Sequence, residues 1–444
     1  MSFTIRPARP DDEAAFYEIC LRTGDAGQDA TDQFADPRAL ADIYVGPYLR
    51  LQPELAFALE DEHGVCGYVL GALDSVDFYR RLEAEWWPAL RARHPAPAGD
   101  RAGWSRDERC YHAFHHPSTF VPPEVARYPA HLHIDLLPRA QGQGLGRRLL
   151  ETLFLALRAR GAPGVHLEVG LTNTRAVAFY GRVGFRELAR HGDVLCLGLG
   201  LAAIDRFHTA VTTQLEDVLR TQRPAIETAG RWVADALAQG GTLWTAGTGH
   251  SHLLALEPFY RAGGLAKVAP LLDEALMLHE SASASSALER EPGRAAAIAG
   301  RYPLRSGDVL LVVSSSGRNA VPIELALLAR ERGLRTIGLV SRRHAEAAPA
   351  RHPAGRLGDV VDLALDTCGV VGDAAVTLPG LAQAVGPTST ITGAFVVNAI
   401  AVHAAEALLA RGITPEVYAS ANAPGGEAHN AALLARHRGA LPHL

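Results

Sequence analysis

The chain has 444 residues, 48% of them hydrophobic and 20% charged, which is too long for one ordinary core and apolar enough to bury two of roughly 150 to 250 residues each. With 43 Lys and Arg against 48 Asp and Glu the formal charge is -5, so neither nucleic acid nor an anionic membrane surface finds an electrostatic footprint. No apolar run of about 18 residues stands out, and the start MSFTIRPARPDDEAAF turns acidic where a signal peptide needs an apolar stretch. The expectation is a soluble, cytoplasmic protein.

Five cysteines, Cys20, Cys66, Cys110, Cys196 and Cys368, are scattered without a CxxC pair, so neither a disulfide framework nor a thiolate zinc site is expected. Lys267 is the only lysine, and it sits in GGLAKVAP, a turn leading into a short strand. In chain order the first half reads as a strand at 4–6, helices, a hairpin of 55–60 and 65–72 around AspGluHisGly, and an irregular insert over 74–127 holding Trp86, Trp87, Trp104 and HAFHHPSTF. Strand, helix, strand, helix and strand then follow. Near residue 200 an apolar strand (194–201) gives way to a long helical pattern from about Ala203, which places a domain boundary between 1–202 and 203–444. Beyond it, apolar runs at 242–246, 268–272, 308–314, 335–341 and 360–366 alternate with helical stretches. That is the pattern of a doubly wound parallel α/β sheet, which binds ligands beyond the carboxyl ends of its strands.

HLHIDLLPRAQGQGLGRRLLETLFLALRARG is a strand, a glycine-rich turn and an amphipathic helix. Glycines let backbone N–H groups approach an anion, and the helix start adds a favourable dipole. No Lys-Ser/Thr follows, which excludes a P-loop. About thirty residues on, LEVGLTNTRAVAFYGRVGF supplies a second strand, Asn173, a helix carrying Phe179 and Tyr180, then Gly184 and Phe185. The pair resembles the GNAT acetyltransferase superfamily over residues 1 to about 200: Arg139, Gly142 and Gly144 meet its R/Q-x-x-G-x-G/A loop. The strand HLHIDLLP and the segment EWWPALR also resemble acetyltransferase-like domains of the O-GlcNAcase type, some of which are inactive. The resemblance implies a mixed, splayed sheet and acetyl-CoA as cofactor, its pyrophosphate on the loop. The expected cofactor contacts are Leu136, Leu137, Arg139, Gln141, Gly142, Gln143, Gly144, Leu145, Gly146, Asn173, Phe179 and Tyr180. It also implies that Tyr180 protonates the leaving thiolate, which suits a phenol near a thioester sulfur. The amine must lose a proton, and Glu168 and Asp135, on the strands flanking the loop, are the candidate bases, with His133 third.

Three hydroxyl-rich loops mark the second half: Gly247, Thr248, Gly249, His250 and Ser251; Ser314, Ser315, Ser316, Gly317 and Asn319; and Thr388, Ser389 and Thr390. Each offers small residues, hydroxyls and backbone amides, which hold a phosphate without metal or lysine. The second resembles the SxSGx[ST] loop of the SIS (sugar isomerase) domain, with Asn319 in the last position. GTGHSHLL, FYRAGGLA, LHESASASSALER, SSSGRNAVPIE, GPTSTITGAF and ANAPGGEAHN are together similar to a bacterial group of stand-alone SIS-domain proteins, over 206–444. That resemblance implies a five-stranded sheet, a homodimer or higher oligomer, and a phosphorylated sugar as ligand.

Moving the proton on carbon 2 of a 6-phosphosugar needs an acid/base group beside the phosphate. The candidates, in order, are Glu257, Glu280, His279 and His429, and Glu289 lies nine residues beyond Glu280. A metal is not expected, although His250, His252 and His279 are conceivable zinc ligands. Joining an N-acetyltransferase-like half to a phosphosugar half makes an amino-sugar phosphate the economical common metabolite. Dehydratase or lyase chemistry on an N-acetylhexosamine 6-phosphate, isomerisation, deamination of a free amino sugar, and non-catalytic sensing remain open alternatives.

Overall fold

Apolar runs, interrupted by Gly and Pro, fold among the described residues into a seven-stranded sheet, a five-stranded sheet and a small two-stranded hairpin. The computed structural model describes residues 3–118, 121–378 and 380–444, and the chain divides into two compact units, Met1–Arg206 and Phe207–Leu444.

In unit 1 the strands β1 (Thr4–Pro7), β2 (Ala56–Asp61), β3 (Gly64–Ala72), β4 (Ala130–Leu136), β5 (Gly164–Gly170), β6 (Arg186–His191) and β7 (Val194–Gly200) lie in the order β1-β2-β3-β4-β5-β7-β6. All neighbours are antiparallel except β4 and β5, which run parallel and pair only at Ala130 with Val165 and His131 with His166. Helices α1 (Glu13–Thr23), α2 (Ala41–Tyr44) and α3 (Gly46–Leu51) come between β1 and β2. The insert after β3 is helical rather than irregular: α4 (Ser75–Arg81), a π-helical turn over Leu82–Trp86, α5 (Trp87–Arg93) and α6 (Arg106–His115). Local caps start two of these helices. Asp74 accepts from the Asp77 amide, and Ser105 and Glu108 form a reciprocal capping box. Thr119 and Phe120 of the HAFHHPSTF motif lie outside the described residues.

Helix α7 (Leu145–Ala159) follows β4, and α8 (Thr174–Val183) follows β5. In α7, Leu149, Leu150, Leu153 and Leu157 are fully buried, the three-to-four spacing of a core-facing helix. Gly71 on β3 has no room for a Cβ, because the Leu153 side chain occupies that space. The opposite face of β3 carries Tyr68, whose ring stacks on Phe16 of α1 at 4.9 Å. The sheet is therefore covered on both sides, by α7 on one face and α1 on the other.

Unit 2 holds most of the long helix α9 (Ala203–Ala238), then β8 (Leu243–Gly247), α10 (Ser251–Leu256), β9 (Val268–Leu271), α11 (Leu278–Leu288), α12 (Arg294–Ala299), β10 (Val309–Val313), α13 (Ala320–Glu331), β11 (Arg335–Val340), α14 (Arg342–Glu346), α15 (Leu357–Val360) and β12 (Leu363–Asp366). A small hairpin, β13 (Ala374–Val376) and β14 (Val385–Pro387), precedes α16 (Ser389–Leu409) and α17 (Gly426–His437). The five parallel strands lie in the order β12-β11-β10-β8-β9, so the winding direction reverses between β8 and β10. Every residue of β8, β9 and β10 is buried, as expected of a parallel sheet covered on both faces. Buried Asp308 ties the starts of β8 and β10 together, accepting from the Trp244 indole and the Thr242 amide, each at 2.8 Å.

Helix α16 corrects one expectation, for its 21 residues are long and apolar enough by length and composition to cross a membrane. Its interspersed Thr, Asn and His residues break the run that hydropathy would reveal, and Val396, Val397, Ile400, Ala404 and Leu408 are buried in the core shared with α9 and the sheet.

Candidate functional site

In unit 1 the chain leaves β4 through Leu137 and turns at residues 141–144 into α7. Gly142 and Gly144 have φ of 76° and 77°, the left-handed region in which a side chain is strained. No side chain caps α7 at Gly144, which leaves the first-turn amides of Leu145, Gly146 and Arg147 without intrahelical acceptors at the positive end of the helix. A Cβ on Gly146 would crowd the Phe179 ring at 3.2 Å, so this glycine lets α8 close against the loop.

The polar side chains of the expected cofactor contacts shape the loop. Arg139 donates to Asp61 at 2.9 Å and to the Val65 carbonyl, and that guanidinium holds the Asp61 carboxyl below its ordinary range. Gln141 donates to the Leu136 carbonyl at 2.7 Å and Gln143 to the Arg139 carbonyl at 2.9 Å. Asn173 caps α8 by accepting from the Ala176 amide at 3.1 Å, and Leu137 and Leu145 are core residues. What the loop offers a ligand is backbone.

The parting of β4 from β5 offers more of it. The Leu137 amide donates to Cys66 on β3 at 2.8 Å, so alternation turns the peptide groups of Ile134 and Leu136 toward the side from which β5 has withdrawn, where the Leu136 carbonyl already accepts from Gln141. On the α1 face of this gap stand His131, His133 and Asp135 of β4, with His166 and Glu168 of β5. His131 is locked: Ser75 donates to the Pro129 carbonyl at 2.9 Å and so must accept from His131 Nδ1 at 2.7 Å, which leaves Nε2 to accept from Tyr48 at 2.8 Å. Burial holds this imidazole neutral, well below its ordinary pKa, and pushes His133, edge-on to Tyr44 and Tyr48, down to about 4. Burial raises Asp135 to about 6, opposed by the 2.6 Å hydrogen bond it accepts from Tyr68. The buried Tyr180 phenol is raised mainly by desolvation and further by the Asp135 charge, which keeps it protonated and able to donate. Glu168 is exposed and makes no hydrogen bond or ion pair among the described residues.

In unit 2 the loops after β8 and β10 meet at the reversal of strand order, where open α/β sheets bind ligands. Glu289 joins them. It accepts from Thr248 at 2.7 Å and from the Asn319 amide at 2.6 Å, and Arg351 donates to the Asn319 carbonyl oxygen at 3.0 Å. Sequence reasoning passed over Glu289 as an acid/base candidate, and its only signal was its position nine residues after Glu280. Gly317, with φ of 59°, is held by Ser314, while the hydroxyls of Ser315 and Ser316 carry no hydrogen bond among the described residues. In the first loop Thr248 is buried, Gly249 is left-handed, His250 is exposed and Ser251 opens the six-residue α10. A Cβ on Gly247 would run into the Ser251 carbonyl.

The third loop is filled from within. Asp373 accepts from the amides of Thr388 and Ser389, at 3.1 and 2.8 Å, and from the Ser389 hydroxyl at 2.6 Å. An internal carboxylate thus takes the place expected for phosphate at Thr388, Ser389 and Thr390. Nor does the structure gather the four ranked acid/base candidates. Glu257 is bound by Arg261 and by Asn398, the latter at 3.0 Å; His279 and Glu280 are exposed on α11; and His429 donates to the Val417 carbonyl at 2.8 Å. Lys267 donates to the Gly240 carbonyl. Among the described residues no group of three or more His, Cys, Asp or Glu side chains could hold a metal, so His250, His252 and His279 do not converge on one.

The GNAT acetyltransferase family matches residues 29–185 and the SIS domain family residues 206–341. A UPF0309 protein of Listeria monocytogenes serotype 4b is 40% identical over 231 residues, 52% of this chain and 94% of that protein. One from Geobacillus thermodenitrificans is 38% identical over 242 residues, 54% of this chain and 97% of that protein. The second half of the chain belongs to the UPF0309 family. The UPF0309 half is thus joined here to a GNAT domain. Among solved structures, SsHAT is 46% identical, covering 46% of this chain and all of its own, with a TM-score of 0.43. The yncA acetyltransferase of Salmonella typhimurium, solved with acetyl-CoA, is 17% identical over 46% of this chain and 95% of its own, with a TM-score of 0.28.

Asp135 gives this site a pH signature. Its folded pKa of about 6 exceeds the ~3.9 of an unfolded aspartate, so between those values the folded chain holds the extra proton and stability falls as pH rises. Urea unfolding midpoints measured from pH 4 to 7 should show that fall in the native chain and a shallower one in Asp135→Asn; an identical slope in the variant would place the titration elsewhere.

Proposed function

We propose that unit 1 transfers an acetyl group from acetyl-CoA to an amine and that unit 2 is a phosphosugar site, of hexosamine 6-phosphate type, with a carboxylate placed for proton abstraction at carbon 2. The observation that carries the first reading is the gap between β4 and β5. Its free peptide edge suits an extended amide-bearing arm, the open amides of Leu145, Gly146 and Arg147 suit a pyrophosphate, and Tyr180 is a neutral phenol able to protonate a thiolate. For the second, the open amides and hydroxyls of Ser315 and Ser316 suit one phosphate, and Glu289 takes the acid/base role. Soluble, cytoplasmic chemistry on small metabolites is the setting this implies.

Unit 2 also exposes a stripe along α16. Ile391 is 42%, Val402 70% and Leu409 59% exposed, and with Phe395, Asn398 and Ala405 they follow the four-and-three spacing of a helix-pairing seam. We place the homodimer contact there.

At acetyl-CoA concentrations a hundredfold over Kd, thermal unfolding should register a stabilisation of about 2.7 kcal/mol. Gly144→Glu, which sets a like charge on the pyrophosphate loop, should abolish it, and a retained shift rejects the loop assignment. In deuterated water, proton spectra of glucosamine 6-phosphate or N-acetylglucosamine 6-phosphate should show exchange at carbon 2. Glu289→Gln should slow that exchange by at least about a hundredfold while the sugar phosphate still stabilises the chain; stabilisation without exchange in the native protein makes unit 2 a sensor. Val402→Glu should convert a dimer to a monomer in light scattering, and a native monomer rejects the seam.

A further inference from the structure

The helical insert of unit 1 opens a cleft of about 490 Å3 lined by Val76, Tyr79, Arg80, Glu83, Ala84 and Val121, large enough for a small-molecule acceptor. Its charged members are already paired within the insert, Arg80 with Asp77 and Glu83 with Arg91. Val76, 64% exposed, Ala84, Val121 and the Tyr79 ring remain to meet a ligand. A sugar carries a hydroxyl on nearly every carbon, and each needs a partner on leaving water. Among the described residues this lining is mostly carbon, with hydrogen-bonding groups only on Arg80, Glu83 and the Tyr79 hydroxyl, fewer than the hydroxyls of a sugar call for.

Tyr79 connects the cleft to the acetyl-transfer gap. Its ring stacks on His131 at 5.5 Å, and His131 is the last β4 residue that still pairs with β5. Two residues beyond its partner His166, on the same face, stands the unpaired carboxylate of Glu168. Burial pushes the Tyr79 phenol up to about 12, with the Glu168 charge adding, so the ring is neutral within reach of that carboxylate. A cleft lined mainly by carbon, whose Tyr79 ring lies within reach of the Glu168 charge, favours a ligand with an apolar body and a cationic head.

The geometry points to a primary amine on an aryl or alkyl body as the acetyl acceptor of unit 1. The body lies along Val76 and Tyr79, and the ammonium is drawn to Glu168. This rests on the acetyl-transfer reading above and separates the substrates of the two units, since the sugar phosphate then belongs to unit 2 alone. In the reaction the ammonium gives one proton to Glu168, which passes it to water. The nitrogen lone pair attacks the thioester carbonyl carbon, the C–N bond forms and the C–S bond breaks. The second proton goes to Asp135, the departing thiolate takes a proton from Tyr180, and Asp135 restores Tyr180. The product amide is neutral, so Glu168 no longer attracts it.

The test uses the full chain with acetyl-CoA and, in separate reactions, phenylethylamine, hexylamine, glucosamine and glucosamine 6-phosphate, reading thiol release and product mass. We expect kcat/KM for the apolar amines to exceed that for the hexosamines by at least about tenfold, and Val76→Asn to raise KM for hexylamine several-fold with the acetyl-CoA thermal shift unchanged. Hexosamines turned over as well as the apolar amines, or no change in KM in the variant, overturns the proposal. Failure of acetyl-CoA to stabilise the chain rejects the acetyl-transfer reading and this proposal with it. Stabilisation without transfer to either apolar amine rejects this acceptor class alone.

Discussion

A peptide group taken out of water must find a partner, and both halves of this chain place their candidate sites where the sheet stops supplying one. In unit 1, β4 and β5 share two residue pairs and then separate, so one edge of β4 is left open beside the uncapped start of α7. The buried leucines that fix α7 to the sheet and the glycine that admits Phe179 hold that opening in place. In unit 2 the strand order reverses between β8 and β10, and the loops beyond them diverge from a common point. Glu289 spans that point.

Polar side chains near both sites are largely scaffolding. Arg139, Gln141, Gln143 and Asn173 each bond to the chain itself, which fixes the loop while leaving amide hydrogens as its outward chemistry. The same economy explains Asp373, whose carboxylate neutralises the start of the 21-residue α16; a helix end buried without a partner would be costly. Polar residue types at a helix start therefore do not by themselves distinguish a ligand site from a capped one.

The two units call on different physics for recognition. Around Ser315 and Ser316 the available groups are amides and hydroxyls, suited to an anion that keeps all its hydrogen bonds on leaving water. Around Val76 and Tyr79 they are mostly carbon surface beside the ion-paired Arg80 and Glu83, where selectivity comes from burying an apolar body. A chain that joins such sites has no chemical need to give them one metabolite.

The sequence alone determined what depends on near neighbours. Apolar runs set out the two main sheets, and the glycines of RAQGQGLG marked a backbone able to approach an anion, two of them, Gly142 and Gly144, at a positive φ that other residues rarely adopt. The helical insert was hidden at that level only because its caps, Asp74 and Ser105, sit among turn-forming residues. What tertiary structure decided is which polar groups meet. Glu289 reaches Thr248 across 41 residues and Asn319 across 30, Asp373 reaches Ser389 across 16, and Tyr79 comes to His131 from an insert with its own local logic. Such pairings depend on strand order and crossover geometry, and a hydrogen bond reaches only about 3 Å, so no periodicity along the chain encodes them.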